Sequence, residues 1–174
     1  DSPIQEVFHI LANSVPRNLL IATDVLAAYR ERRKVLVLTE RTAQLPLLRE
    51  ALGREVENCF VLHGRLSQKQ RAAVFAELVA LNGTTPRVLL ATGRLIGEGF
   101  DHPALDTLVL AMPISWKGTL QQYAGRLHRE HTDKTDVRIY DYIETANPQL
   151  ARMWDKRQRG YRAMGYEIKP MVTA

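Results

Sequence analysis

A single cysteine, Cys59, among 174 residues excludes both an intrachain disulfide framework and a thiolate metal cluster. No apolar run approaches the roughly 18 residues that a membrane-spanning helix needs. Nothing at the start reads as a secretory signal. Both absences, with the reduced cysteine, lead us to expect a cytoplasmic protein with no membrane partner. Two further absences bear on chemistry. There is no Gly-x-x-x-x-Gly-Lys-Ser/Thr loop to cradle a triphosphate, and no Asp-Glu pair after a strand-like run to hold a magnesium ion. Glu6 and Glu40 do not supply that pair. The spacing of Gly93, Gly97 and Gly99 also misses the Gly-x-Gly-x-x-Gly of a dinucleotide fingerprint.

What the chain does have is apolar content. Hydrophobic residues make up 45% of it, enough at this length for one packed core and too little for two. The formal charge of +5 favours an anionic partner, although charge alone is a weak pointer to nucleic acid. Short β-branched and leucine-rich runs predict strands over 35–39, 59–62, 88–91, 107–111 and 137–142. Runs such as Val35-Leu36-Val37-Leu38 suit strands covered on both faces. Helical patterns lie between them, over 43–52, 67–81 with Ser67 as N-cap, a short one after Thr92, and 119–129. This alternation predicts an α/β fold with a mainly parallel, doubly wound sheet. Amphipathic stretches at 4–11 and 17–30 precede it, and a basic helix follows Asn147-Pro148. We divide the chain into an N-terminal helical extension (1–33), a core (34–145) and a C-terminal basic helix (146–174), all packed together.

The string Gln122-Tyr123-Ala124-Gly125-Arg126-Leu127-His128-Arg129 carries the sharpest chemical signal. Two guanidiniums three residues apart share one helix face. Gly125 lets that face approach a neighbouring backbone or ligand. Arginine's planar fork and permanent charge suit phosphate oxygens, so Arg126 and Arg129 read as fingers reaching into a triphosphate site. In isolation, surface salt bridges are the better explanation of two helix arginines, and it is the whole motif set that reverses the balance. The other motifs follow strands directly, where doubly wound sheets gather functional loops. They are Thr39-Glu40-Arg41, His63-Gly64-Arg65, the segment from Thr92 through Asp101 and the segment after Pro113. Trp116-Lys117 offers a stacking-plus-charge pair for single strands, against a competing reading in which Trp116 is packed. His128 and His131 have no third ligand nearby. The run Lys156-Arg157-Gln158-Arg159 reads as a solvated helix face, with the guiding of DNA as the competing reading.

Taken in order, Thr39, Leu62-His63-Gly64, Ser67-Gln68-x-x-Arg71, Ala91-Thr92, Glu98-Gly99-x-Asp101 and Gln122-x-x-Gly125-Arg126-x-x-Arg129 resemble the C-terminal RecA-like domain of superfamily-two (DEAD/DEAH-type) helicases and translocases. The finer likeness is to bacterial restriction-enzyme-associated members. The resemblance covers residues 34–143 and implies a three-layer RecA-like, P-loop NTPase-like domain. It implies that ATP and Mg²⁺ are held mainly by a preceding RecA-like domain of the same polypeptide, upstream of Asp1. On this carry-over Arg126 and Arg129 are catalytic, and Gln122, Gly99 and Asp101 face the nucleotide. Thr39, Gly64 and Thr92 grip a nucleic-acid backbone, DNA by preference over RNA.

The chain also departs from that pattern. Five residues separate Thr92 from Glu98, one more than is common, and Gly93 stands where an acidic residue is frequent. Tyr123 replaces a further arginine of RNA helicases, which favours the DNA branch. Without a phosphate loop, the chain by itself is expected to be inactive as an ATPase. The reading from a different class is a non-catalytic nucleic-acid or protein-binding module that keeps the fold.

Overall fold

Five strands form one sheet because their sequences leave no polar face to turn to water. A computed structural model describes residues 3–94, 100–128, 134 and 136–171. Strands β1 (Lys34–Thr39), β3 (Arg87–Thr92) and β4 (Thr107–Leu110) are buried at every position. The flanking strands β2 (Cys59–Leu62) and β5 (Arg138–Asp141) are mostly half-buried, as edges are. The order is β2-β3-β1-β4-β5, with all four pairings parallel. Every predicted strand is present, and a mainly parallel sheet proves wholly parallel.

Alternation along each strand sorts side chains onto two helical layers. Leu36, Leu38, Leu89, Leu108 and Leu110 pack on one side with Leu78 of α4 (Gln68–Ala80) and with Leu120, Tyr123 and Leu127 of α5 (Thr119–Leu127). Val35, Val37, Val88, Leu90 and Val109 pack on the other side with α2 (Val15–Arg30) and α3 (Gln44–Leu52). Each such side chain, fully buried, contributes roughly 1.5–3 kcal/mol. Ile21, Ala22, Val25 and Ala28 place α2 inside this layer.

Caps fix the helix starts. The Ser14 hydroxyl accepts from the Arg17 amide, Ser67 and Gln70 form a reciprocal capping box, and Asn147 accepts from the amides of Gln149 and Leu150. The first helix, α1 (Pro3–Asn13), packs against α2 and α3. The last, α6 (Pro148–Ala163), corrects one expectation. Arg157 does not lie on a solvated face; it is 0% exposed, with Nε and Nη2 donating to Asp141 at 2.7 and 3.0 Å and Nη1 to the Ile114 carbonyl at 3.0 Å. Its heptad neighbours Leu150 and Tyr161 are buried too, so the basic run straddles two faces of the helix.

Candidate functional site

Parallel register brings Thr39 of β1 beside Thr92 of β3 at the carboxyl rim of the sheet. The two hydroxyls differ sharply in environment. Thr39 is 0% exposed; its hydroxyl donates to Gln44 Oε1 at 2.5 Å and accepts from the Arg41 amide at 3.1 Å. It has no capacity left for a phosphate, which corrects the expectation of a direct grip. Its work is to hold the turn into Arg41. Thr92 is also buried, yet its Oγ1 has no hydrogen-bond partner among the described residues. Leaving such a group unpaired costs about 1–3 kcal/mol.

The rim around Thr92 is crowded on one side and open on the other. A Cβ on Gly93 would lie 2.7 Å from Glu40 Oε1, so glycine is what lets that carboxylate sit there. Desolvation pushes the Glu40 carboxyl above its ordinary range. Gly64 is exposed, and a Cβ there would only touch Arg94 Cδ at 3.4 Å. Steric demand within the chain therefore explains Gly93 and leaves Gly64 unexplained.

Behind the rim lies a buried polar knot that sequence reasoning missed. Gln44 Nε2 donates to Asn18 Oδ1 at 3.0 Å and to the Ala111 carbonyl at 3.2 Å, and Asn18 Nδ2 donates to the Ala12 carbonyl at 2.9 Å. Arg17 reaches the same Ala111 carbonyl through Nη1 and Glu144 through Nε at 3.0 Å. Tyr142 completes the group by donating to Asp24 Oδ2 at 2.7 Å. Burial, then that hydrogen bond, holds its phenol above the ordinary range. The signal was there in principle, because Asn18 falls on the same helical phase as Ile21, Ala22 and Val25.

Arg126 belongs to a second group, set apart from the rim. Its Nη1 donates to the Phe100 carbonyl at 3.0 Å. Phe100 meets Phe75 edge to face at 6.0 Å and seals that part of the core. Tyr123 is buried beside them; burial first, and then the charge of Asp101, keep its phenol un-ionised, while Arg126 opposes both. Asp101 and Arg126 are each half-buried, and Gln122 and Gly125 are exposed on the same turn-and-a-half of α5. A Cβ on Gly125 would just reach Met164 Cε at 3.9 Å, so nothing within the described residues presses on that face.

Connectivity separates the two groups. His102 Nε2 lies 3.0 Å from Nη1 of Arg87, the first residue of β3, and the Asp106 amide donates to the Lys34 carbonyl at the start of β1. Between Thr92 and Asp106 the chain has thus passed from the carboxyl rim to the amino end. Among the described residues, Thr39, Gly64, Thr92 and the segment after Pro113 lie at the carboxyl ends of their strands. Arg129 and Gly99 lie outside the described residues, as do His131 and most of the helix expected after Thr92.

Trp116 resolves in favour of packing. It meets Tyr161 edge to face at 5.2 Å, and its indole lies so close to α6 that a Cβ on Gly160 would fall 2.0 Å from Cε2. Among the described residues no group of three or more His, Cys, Asp or Glu could hold a metal ion, and no helix is long and apolar enough to cross a membrane.

The family of the helicase conserved C-terminal domain matches residues 17–131. The chain is 38% identical over 84 residues to uncharacterized protein 108L of Invertebrate iridescent virus 3, a match covering 47% of this chain and 74% of that protein. It is 27% identical over 139 residues to probable helicase D10 of Escherichia phage T5, covering 80% of this chain and 30% of the phage protein. T4 UvsW superposes with a TM-score of 0.69 at 19% identity, over 93% of this chain and 35% of UvsW. The chain therefore spans about a third of the length of D10 and of UvsW.

Proposed function

Because the chain belongs to the helicase conserved C-terminal domain family, we propose that it is the second RecA-like half of an ATP-dependent nucleic-acid motor. The observation that carries this is the Arg126 group. One guanidinium N–H is spent on the Phe100 carbonyl, which aims the side chain; the fork offers five donors in all, and its helix neighbours Gln122 and Gly125 are exposed.

That donor set fits a nucleotide presented from outside the chain. Bound ATP would supply the phosphoanhydride bond. Arg126, with Arg129 three residues later in the sequence, would offset the charge that builds on the γ-phosphate oxygens, an effect worth roughly a thousandfold or more. Asp101, with Gly99 two residues earlier, would accept from the ribose hydroxyls, and Gln122 would approach the nucleotide from the same helix face. Mg²⁺ would be held by the preceding RecA-like domain. At the rim, the unpaired Thr92 hydroxyl and the open Gly64 backbone would hold phosphates without reading bases. Thr39 would act through the Arg41 turn. We read 1–33 and 146–174 as additions to a 34–145 motor core, and the parent as a cytoplasmic DNA translocase or helicase of the restriction-associated type.

The test is ATP turnover by a polypeptide joining this chain to its upstream domain, with and without single- and double-stranded DNA. Arg126→Ala and Arg129→Ala should each lower DNA-stimulated turnover by about a thousandfold. Turnover indifferent to both substitutions refutes the motor reading and leaves the binding module. Magnesium-dependent turnover by the 174-residue chain alone, lost in Arg126→Ala, refutes the division of labour between the two domains.

A further inference from the structure

Residues Gln149, Arg152, Lys156 and Arg159 recur at helical spacing along the exposed face of α6, opposite the buried face formed by Leu150, Arg157 and Tyr161. Between that face and the loop before α5 lies a cleft of about 340 Å³, lined by Trp116, Lys117, Gln149, Arg152, Met153 and Lys156. A second hollow of about 390 Å³ shares Arg152 and Lys156 and continues to Arg159. Resting on the motor reading above, we propose that this groove is a second binding track for a nucleic-acid backbone, separate from the rim of Thr92 and Gly64.

Charge balance carries the assignment. Among the described residues Asp155 is the one carboxylate lining either hollow, and it is already paired with Arg159 at 2.8 Å. Lys117, Arg152 and Lys156 have no ion-pair or hydrogen-bond partner among the described residues. Three uncompensated cations around one cleft repel each other until an anion enters. From Arg152 to Arg159 the helix advances about 10 Å, close to three phosphate-to-phosphate steps at the axial spacing of a duplex strand. A point-charge track of this kind holds phosphates and is blind to sequence.

Trp116 shapes the groove without reading bases. Its indole packs against Gly160 and Tyr161 and so forms a wall of the groove. Lys117 adjoins Gly118, whose φ of 66° turns the chain into α5. A strand in the groove therefore lies against the start of the helix that bears Arg126.

The experiment is fluorescence anisotropy of a labelled 20-nucleotide thymidine strand, and of a mixed-sequence strand of equal length, titrated with the chain at about 50–300 mM salt. Removing all three charges (Lys117→Ala, Arg152→Ala, Lys156→Ala) should make the slope of log K against log salt shallower by about two for both strands, at roughly 0.7 per phosphate contact. Each single variant should contribute about a third of that, so the result does not depend on how the triple variant folds. An unchanged slope with an unchanged melting temperature overturns the groove and leaves the motor reading standing. No binding of either strand by the wild type at any salt removes both. Polyglutamate that binds wild type as tightly as the strands do, and loses affinity equally in the variants, overturns the nucleic-acid assignment in favour of an acidic protein partner.

Discussion

Replacing Gly160 by alanine sets two effects of known sign against each other. Gly160 sits in the interior of α6, where alanine is worth about 0.5–1 kcal/mol more than glycine through helix propensity. The added methyl, however, would lie 2.0, 2.3 and 2.5 Å from Cε2, Cζ2 and Nε1 of Trp116. Relief requires the indole to move by more than an ångström, off Tyr161 and out of the cluster it packs against. Overpacking of this order costs about 1–3 kcal/mol. The clash should win: Gly160→Ala destabilises by about 1–2 kcal/mol, a fall in melting temperature of roughly 2–8 °C for a chain of this size. In a Trp116→Ala background the obstacle is gone, and Gly160→Ala should then stabilise by about 0.5–1 kcal/mol. Urea unfolding of the four proteins in this cycle reads the coupling directly. If Gly160→Ala changes stability equally in both backgrounds, the close approach of indole and helix is not what selects glycine, and the groove wall described above loses its support.

Thr92→Val removes an unpaired buried hydroxyl at nearly constant volume, so urea unfolding should show stability unchanged or raised by about 1 kcal/mol while DNA-stimulated turnover falls; a loss of stability refutes the orphaned hydroxyl. Arg157→Ala strands Asp141 without its bidentate partner and should cost about 3–5 kcal/mol in thermal unfolding, whereas Lys156→Ala, one residue away, should stay within about 0.5 kcal/mol. The Asp136 carboxyl is held below its ordinary range first by the hydrogen bond from Arg33. A lowered folded value means that its stabilisation is present above the ordinary carboxylate range and is lost as pH falls through the lowered one. Asp136→Asn should flatten that part of the acid limb of a stability–pH profile, and superimposable profiles contradict the pairing.

Strands were legible because buried parallel strands need unbroken apolar runs, and the central three supply them. The cap at Ser67 was legible because a short polar side chain before an apolar periodicity has few other uses. The site was legible only in part. Arg126 could be singled out by its spacing, but its anchor is the Phe100 carbonyl, and a backbone oxygen leaves no mark in the residue string. Thr39 looked like a hydroxyl for a ligand, and its commitment to Gln44 depends on how α3 returns over β1. Arg157 looked solvated because its neighbours are basic; only the three-dimensional meeting with Asp141 shows it to be internal. Long-range pairings of this kind carry no local signature.

The placement of α2 has a consequence for how the chain is made. Its apolar residues, and Arg17 at its start, find their partners on β1, β3, β4 and the Ala111 carbonyl, and Ala111 is synthesised 111 − 17 = 94 residues after Arg17. At roughly 5–20 residues per second, that is about 5–19 s during which α2 has left the ribosome with its sheet unfinished. The most exposed stage in the life of this domain falls during its translation. Substitutions on the inner face of α2 are accordingly expected to show first in the yield of soluble protein, and only afterwards in what the surviving molecules can do.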